Sequence, residues 1–245
     1  MHLLKKPAIL LATVLASLVF IFATSNKSSA RNKVMTSTLA SAATTKSENK
    51  STLFTEMHLD AAGLSQTVFN SAIHGLEKLD SEGVVKNDNI LTIVDFSQPS
   101  TKKRLYVVDL QNKQILFNTL VAHGRNSGSL WTKSFSNQAS SLKSSPGFYV
   151  TRDTYVGHNG YSLRLDGQEK NINDNALNRS IVMHGAPYVD QSAINSLGFL
   201  GRSWGCPAVP MAQHKAIINT IKDGTCLFIY SPDSNYLEKS PVLNS

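Results

Sequence analysis

Two short stretches decide how this sequence is interpreted: Ile181-Val182-Met183-His184-Gly185 and, further along the chain, Ser203-Trp204-Gly205-Cys206-Pro207. The first is an apolar run that ends in a histidine. The second places a cysteine between a glycine and a proline, in a segment rich in turn formers. A nucleophilic cysteine and its base are usually far apart in sequence and stand on loops held by rigid strands. The two stretches therefore predict a Cys/His site at the edge of a sheet.

The region around these stretches is dominated by strand patterns. Apolar runs bounded by turn residues predict strands at residues 90–96, 104–110, 115–121, 147–151, 162–165, 180–183 and 225–230. The first three predict a β-meander, and the last is expected to close the domain. Helical spacing of apolar residues predicts a helix between Ser65 and Gly83 and another at residues 211–222. The expected fold class is mainly β with a few helices (α+β).

The N-terminal 55 residues differ in composition from the rest. Lys5 and Lys6 precede an uncharged apolar run over residues 8–23, which is typical of a secretory signal and shorter than the roughly 20 residues of a membrane span. We therefore expect a signal peptide, or an uncleaved N-terminal anchor, at residues 1–30. Residues 31–55 are rich in Ser, Thr and Lys and predict a flexible linker. One folded domain is expected at residues 56–238, with membrane contact only through the N-terminal segment if it is not cleaved.

Composition excludes some classes of partner. The formal net charge of +7 suits an anionic envelope or substrate. No basic stripe with interleaved aromatic residues is present, so we expect no nucleic-acid partner. No Cys/His pair has the spacing of metal ligands, and no cofactor is implied. Cys226 lies in a strand-like run and is expected to be a small buried hydrophobe, while a disulfide with Cys206 is the alternative that an oxidising compartment allows.

The Cys/His pair predicts nucleophilic catalysis. A cysteine is a nucleophile only as thiolate, so Cys206 needs a nearby base, and His184 is the best candidate. The carbonyl of Gly185, or a neighbouring one, is a candidate to orient the imidazole. The backbone N–H groups of Gly205 and Cys206 are candidate oxyanion donors, whereas Pro207 has no N–H.

The order His184-Gly185, then a loop, then Ser203-x-Gly205-Cys206 resembles the active-site signature of the YkuD family of L,D-transpeptidases. The tract from Gly201 to Val209 and the tract Val121-Ala122-His123-Gly124-Arg125-Asn126-Ser127-Gly128 resemble the divergent murein L,D-transpeptidase catalytic-domain branch. The resemblance implies an L,D-transpeptidase-like β-sandwich catalytic domain.

The resemblance also implies roles for individual residues. Cys206 would attack the carbonyl of an L-centre–D-centre peptide bond in a peptidoglycan stem peptide and form a thioester, with His184 as base. Gly205 and Cys206 would form the oxyanion-hole region, and Ser203 would be the hydroxyl of the motif. An amine on a second stem or on a wall-attached protein would resolve the thioester. Water as acceptor would instead make the protein a carboxypeptidase or amidase.

Two features depart from the family pattern. Trp204 stands where a histidine usually precedes Gly-Cys, and we expect it to pack beside the thiol as an apolar wall. Ser203 follows His184 by 19 positions, a long spacing, so residues 188–200 are expected to build a different rim or lid.

Other polar residues carry more than one interpretation. His123 either lines the substrate groove, or supplies a second imidazole in place of the missing histidine, or is a hydrogen-bonded loop histidine. Arg202 either binds a substrate carboxylate or is a solvated surface charge. His158 and His214 are expected at the surface.

The predicted protein is thus an exported cysteine acyltransferase of the periplasm or cell envelope. A non-catalytic wall-binding module that keeps the fold is the alternative from another class. A papain-like protease would place its cysteine before its histidine, which is the reverse of the order here.

Overall fold

The strands and helices lie within residues 50–245, the part of the chain that the computed structural model describes. The strands are β1 (Asn87–Asp95), β2 (Leu105–Asp109), β3 (Gln114–Thr119), β4 (Gly147–Gly157), β5 (Gly160–Gly167), β6 (Val182–Ala186), β7 (Ala208–Pro210) and β8 (Thr225–Tyr230). Residues 50–56 are helical. The helices after them are α1 (Gln66–Ser81), α2 (Gln191–Leu197), α3 (His214–Ile221) and α4 (Ser234–Lys239). The predicted signal peptide or anchor and most of the linker lie outside the described residues.

The strands form one sheet in the order β3-β2-β1-β8-β4-β5-β6-β7. The predicted meander is confirmed, because β1 pairs with β2 and β2 with β3, both antiparallel. The expectation that β8 closes the domain is wrong: β8 lies inside the sheet, parallel to β1 and antiparallel to β4, and α4 follows it. Its continuous apolar run is that of a strand buried on both faces.

Both faces of the sheet are covered by apolar side chains. Along β8, Cys226 and Phe228 point to the cluster that packs under α1, while Leu227 and Ile229 point to a second cluster on the opposite face. Phe148 of β4 stacks on Phe228 with ring centroids 4.1 Å apart. The central strands are therefore fixed on both sides.

The second cluster contains side chains from strands near both ends of the sheet. It includes Leu105 of β2 and Met183 of β6, although four strands separate β2 from β6 in the sheet. The two ends of the sheet meet where the Ala122 N–H, just beyond β3, donates to the Ala208 carbonyl of β7 at 2.8 Å. This arrangement brings residues 121–128 beside residues 203–210. The mainly β class with a few helices is confirmed.

The boundaries of the folded unit differ from those expected. α1 begins as predicted after Ser65, whose Oγ accepts the Val68 N–H at 3.3 Å. Residues 50–55, expected in the linker, are helical, and Phe54 is buried in the core. At the other end, the fold continues past residue 238, because Val242 belongs to the same core cluster. Single buried apolar residues such as Phe54 and Val242 produce no periodic hydrophobic pattern, so the sequence does not reveal them as parts of the core.

Within residues 50–245, no helix is long and apolar enough to cross a membrane.

Candidate active site

Cys206 lies two residues before the start of β7, with 8% of its surface exposed. Its Sγ accepts the Val182 N–H at 3.5 Å and donates to the Ser180 carbonyl at 3.6 Å. Burial raises the pKa of the Cys206 thiol, while the Val182 N–H and the positive charge of Arg179 oppose that rise. The thiol is therefore protonated at neutral pH and needs a base to become a nucleophile.

His184 lies within β6, because the strand begins two residues later than expected and runs on to Ala186. The parallel register of β6 and β7 pairs His184 with Ala208. Cys206 therefore lies opposite Val182. Because Val182 precedes His184 by two residues, Cys206 and His184 are offset by about 6–7 Å along the strand direction. His184 and Cys206 line the same cavity.

The His184 imidazole is held by its neighbour. Its Nδ1 lies 3.0 Å from the Gly185 carbonyl, so the proton of the neutral ring is on Nδ1 and Nε2 is the basic nitrogen. Burial lowers the pKa of His184, and the charge of His214 adds to this, while the Gly185 carbonyl opposes it. A neutral imidazole and a neutral thiol that line the same cavity are the two groups that a general-base mechanism requires.

His214 corrects the expectation that it lies at the surface. Only 7% of it is exposed, and its Nδ1 lies 2.7 Å from the Met211 carbonyl. A Cβ at Gly185 would come within 2.7 Å of the His214 ring, so Gly185 permits this close packing. His214 opens α3 and faces the backbone that holds His184. His158 is exposed, as expected, and lines the cavity from the β4–β5 turn.

The cysteine turn (residues 203–206) is closed by Ser203. Its Oγ accepts the Gly205 N–H at 3.1 Å and donates to the Cys206 carbonyl at 2.6 Å. Gly205 has φ +128°, and a Cβ there would lie 2.8 Å from the Lys143 carbonyl, so both the conformation and the space require glycine. The Gly205 N–H, expected as an oxyanion donor, is thus already engaged. The Cys206 N–H, by contrast, donates to no backbone carbonyl of residues 50–245.

The upstream tract (residues 121–128) supports the cysteine turn from behind. Ser144 Oγ donates to the Gly205 carbonyl and accepts the Gly124 N–H, each at 3.0 Å. The Ser203 N–H donates to the His123 carbonyl at 3.0 Å. These contacts are between buried groups, so they fix the turn rather than bind substrate.

His123 is fully buried and does not line the cavity. Its Nδ1 accepts a hydrogen bond from the Arg104 guanidinium at 2.8 Å, and Arg104 also donates to the Val121 carbonyl at 3.1 Å. Burial, and next the charge of Arg104, lowers the pKa of His123 to about 4. The structure therefore contradicts a place in the groove for His123 and supports the hydrogen-bonded loop histidine.

The cavity has a volume of about 560 Å³. It is lined by Tyr155, His158, Asn159, Arg179, Ser180, Ile181, Val182, His184, Tyr188, Arg202, Ser203, Trp204 and Cys206. This lining includes two arginines and no carboxylate residue, which favours an anionic ligand. Within residues 50–245, no group of three or more His, Cys, Asp or Glu side chains is placed to hold a metal ion.

Trp204 and Arg202 stand at the mouth of this cavity. Trp204 is 74% exposed and forms part of the rim. The expectation that it packs beside the thiol is therefore wrong. Arg202 is exposed and lies over the Phe199 ring at 5.3 Å; its Nη1 is 3.3 Å from the Gly128 carbonyl and 3.4 Å from that of Arg125. Because these two contacts are long, the guanidinium retains donors for a ligand.

The sequence did not single out Arg179 or Tyr188, and both line the cavity. Tyr188 opens the segment 188–200, which was expected to form a rim, and burial, then the charge of Cys206, raises its pKa to about 12. α2 occupies the middle of that segment, capped by Asp190. Arg179 does not lie in a recognisable sequence motif, so the sequence alone gives no signal for its place in the cavity. Both cysteines are free and buried, which overturns the disulfide alternative.

A family model described as an L,D-transpeptidase catalytic domain matches residues 60–230. Solved structures similar to this chain include an L,D-transpeptidase from Mycobacterium smegmatis (10% identity, 58% of this chain and 59% of that one, TM-score 0.38). They also include the helical cell shape determining protein Pgp2 from Campylobacter jejuni (13% identity, 67% and 57%, TM-score 0.40). A third is an L,D-transpeptidase from Stackebrandtia nassauensis (14% identity, 67% and 66%, TM-score 0.36).

The matched region of this chain spans between 57% and 66% of the length of those three solved chains. No curated protein matches the chain significantly.

Proposed function

The chain belongs to the family of L,D-transpeptidase catalytic domains, and from this we propose that it is an exported cysteine acyltransferase that acts on peptidoglycan stem peptides. The observation that carries the proposal is the pairing of Cys206 with His184 in one cavity, with His184 Nδ1 held by the Gly185 carbonyl. A buried thiol with a raised pKa and a buried imidazole with a lowered one form a neutral pair, so the histidine acts as a general base.

The first half-reaction acylates the cysteine. The S–H proton of Cys206 passes to Nε2 of His184, and the resulting imidazolium is stabilised through Nδ1 by the Gly185 carbonyl. The thiolate attacks the carbonyl carbon of the L-centre–D-centre peptide bond of the donor stem. The Cys206 N–H donates to the oxyanion of the tetrahedral intermediate. The C–N bond then breaks, the leaving amine takes the proton from His184, and a thioester remains on Cys206.

The second half-reaction releases the acyl group. An amine of a second stem, or of a wall-attached protein, attacks the thioester while His184 accepts its proton. The C–S bond breaks, and the proton on the imidazolium returns to the Cys206 sulfur. The products are a cross-link or an attached protein, and the enzyme is regenerated.

The charge of the cavity supports a stem peptide as substrate, because such peptides carry carboxylates. Arg202 lies at the rim and makes only two long hydrogen bonds within the protein, so its guanidinium would bind one of these carboxylates. Trp204 would cover the apolar part of the stem next to it.

The proposed compartment is the cell envelope, since the substrate lies there and residues 1–30 have the pattern of a signal peptide or anchor. A reporter fused after Ala30 should be exported, and removal of the first 23 residues should keep it in the cytoplasm. Export of the shortened form would contradict this.

Incubation of the protein with purified muropeptides and identification of the products by mass tests the proposed activity. A cross-linked or amine-exchanged product supports acyl transfer. A product shortened by hydrolysis alone would identify a carboxypeptidase or amidase. No turnover by a folded protein would favour a wall-binding module.

A further inference from the structure

The two arginines of the cavity differ in how their donors are used. Arg202 makes only long contacts with carbonyls. Arg179, in the segment before β6, is half-buried and directs all its terminal nitrogens at one loop. Nη1 donates to the Ser136 carbonyl and to Ser145 Oγ, and Nη2 donates to the Lys143 carbonyl at 2.6 Å and to Ser141 Oγ at 3.2 Å. We call residues 136–145 the wall loop.

The wall loop meets the cysteine turn at one point. The Lys143 carbonyl, which receives Arg179 Nη2, is also the atom 2.8 Å from the Cβ position of Gly205. Arg179 Nη2 itself lies 3.5 Å from that position. The guanidinium is thus wedged between the wall loop and the residue that precedes the nucleophile.

The residues that follow Arg179 in the chain contact the thiol directly. Ser180 has a left-handed φ of 55°, and its carbonyl accepts the Cys206 S–H at 3.6 Å. Val182 donates its N–H to the same sulfur. Fixing Arg179 to the wall loop therefore fixes one end of the segment that surrounds Sγ.

We propose that Arg179 is a positioning residue of the active site: it holds the wall loop against the cysteine turn and places a fixed positive charge beside Cys206 that stabilises the thiolate. Because its terminal donors are used within the protein, Arg179 does not bind the substrate carboxylate, and Arg202 is left for that role. The proposal rests on the proposed function in one respect, the assignment of Cys206 as the nucleophile.

Several titratable or charged groups face the cavity around Cys206. They are Arg179 before β6, His184 on β6, Tyr188 after it, Arg202 in the loop before Cys206, Tyr155 on β4 and His158 at the β4–β5 turn. Of these, Arg179 is the one whose charge opposes the rise that burial causes in the pKa of the thiol. The lining offers the thiolate no other buried cation, since Arg202 is exposed.

The rate of alkylation of Cys206 by iodoacetamide, measured against pH, tests the proposal without a muropeptide. In Arg179→Gln the rate at neutral pH should fall about tenfold and its midpoint should move to higher pH, because a nearby cation stabilises the thiolate by such a factor. Arg179→Lys keeps the charge and should retain most of the rate. Arg152→Gln, which removes an equal charge from a surface pair with Asp166, should leave the profile unchanged.

A separate variant isolates the structural part. Ser145→Ala removes one acceptor of Arg179 and the bond from Ser145 Oγ to the Ser136 carbonyl, but no charge, so it should increase hydrogen exchange in the wall loop and leave the midpoint in place. An unchanged alkylation profile in Arg179→Gln overturns the proposal. So do equal losses in Arg179→Lys and Arg179→Gln, which would show that the positive charge at this position does not stabilise the thiolate. If Arg179→Gln does not fold, a loss in Arg179→Lys as large as that in His184→Ala also overturns it.

These outcomes are separable from those of the muropeptide assay. An alkylation profile that responds to Arg179 in a protein without turnover refutes the proposed function alone. Turnover that depends on Cys206, with a profile indifferent to Arg179, refutes the inference alone.

Discussion

Ser203 is expected to couple stability to activity, because its single hydroxyl closes the cysteine turn. Ser203→Ala removes the acceptor of the Gly205 N–H and the donor to the Cys206 carbonyl, and the three residues that make these bonds are buried. A buried polar group left without its partner costs about 1–3 kcal/mol. Because the turn lines the cavity, each group should cost an amount near the lower end of this range, so the two together should lower the free energy of unfolding by about 2–3 kcal/mol, and Tm by roughly 5–10 °C for a domain of this size.

The effect on turnover should be larger than the effect on stability implies. The same hydroxyl fixes the direction of the Cys206 carbonyl and, through it, of the adjoining N–H that receives the oxyanion. A displacement of about 1 Å in such a group costs on the order of 100-fold in rate. We expect kcat with muropeptides to fall by roughly 10–100-fold, with little change in KM.

Urea unfolding followed by tryptophan fluorescence, together with muropeptide turnover, provides both quantities. Ser192→Ala is the matched control, because Ser192 Oγ makes one short bond to Asp190 on an exposed surface, and its loss should cost under about 0.5 kcal/mol. Ser203→Thr keeps the hydroxyl and should retain most of the activity. A Ser203→Ala protein as stable and as active as the unmodified one would show that the turn does not depend on this clamp.

Three further results are expected. The pKa of His123 is about 4 in the folded protein and near 6.5 in the unfolded chain, so the unfolded chain binds a proton more readily. The free energy of unfolding should therefore fall by roughly 3 kcal/mol as pH drops from 6.5 to 4. Urea titrations at several pH values should show this dependence in the unmodified protein and a weaker dependence in His123→Gln. Cys226→Ala should lower stability by roughly 0.5–2 kcal/mol and leave turnover intact, since Cys226 is a free thiol within the core; loss of turnover in a folded variant would refute this. Trp204→Ala should raise KM more than it lowers kcat without altering unfolding, and a Trp204→Phe variant that loses all chemistry would show a direct catalytic role for the indole.

The parts of the fold that local patterns determine could be predicted from the sequence. The helix after Ser65 has a capping residue and a regular apolar stripe, and the meander β1–β3 has clear turns between its strands. The insertion of β8 between β1 and β4 could not be predicted, because a strand buried on both faces has no alternation that specifies its neighbours.

The same limit applies to the site. Cys206 and His184 stand in short tracts with glycine and strand signals, and such signals are visible in one sequence. Arg179 acts through oxygens of the wall loop some 34 to 43 positions away, and His123 contacts Arg104, which lies 19 positions earlier, just before β2. Such contacts arise from the closure of the sheet, so the sequence could name these residues only as isolated charges.

The central claim is that Cys206 carries the acyl group. Intact-protein mass spectrometry after rapid acid quenching of a muropeptide reaction measures this directly, with peptide mapping to locate the adduct. We expect a thioester on the peptide that contains Cys206, present in the unmodified protein and in Cys226→Ala, and absent in Cys206→Ala. An adduct of the same mass in Cys206→Ala, or full turnover by that variant, would show that Cys206 does not carry the acyl group.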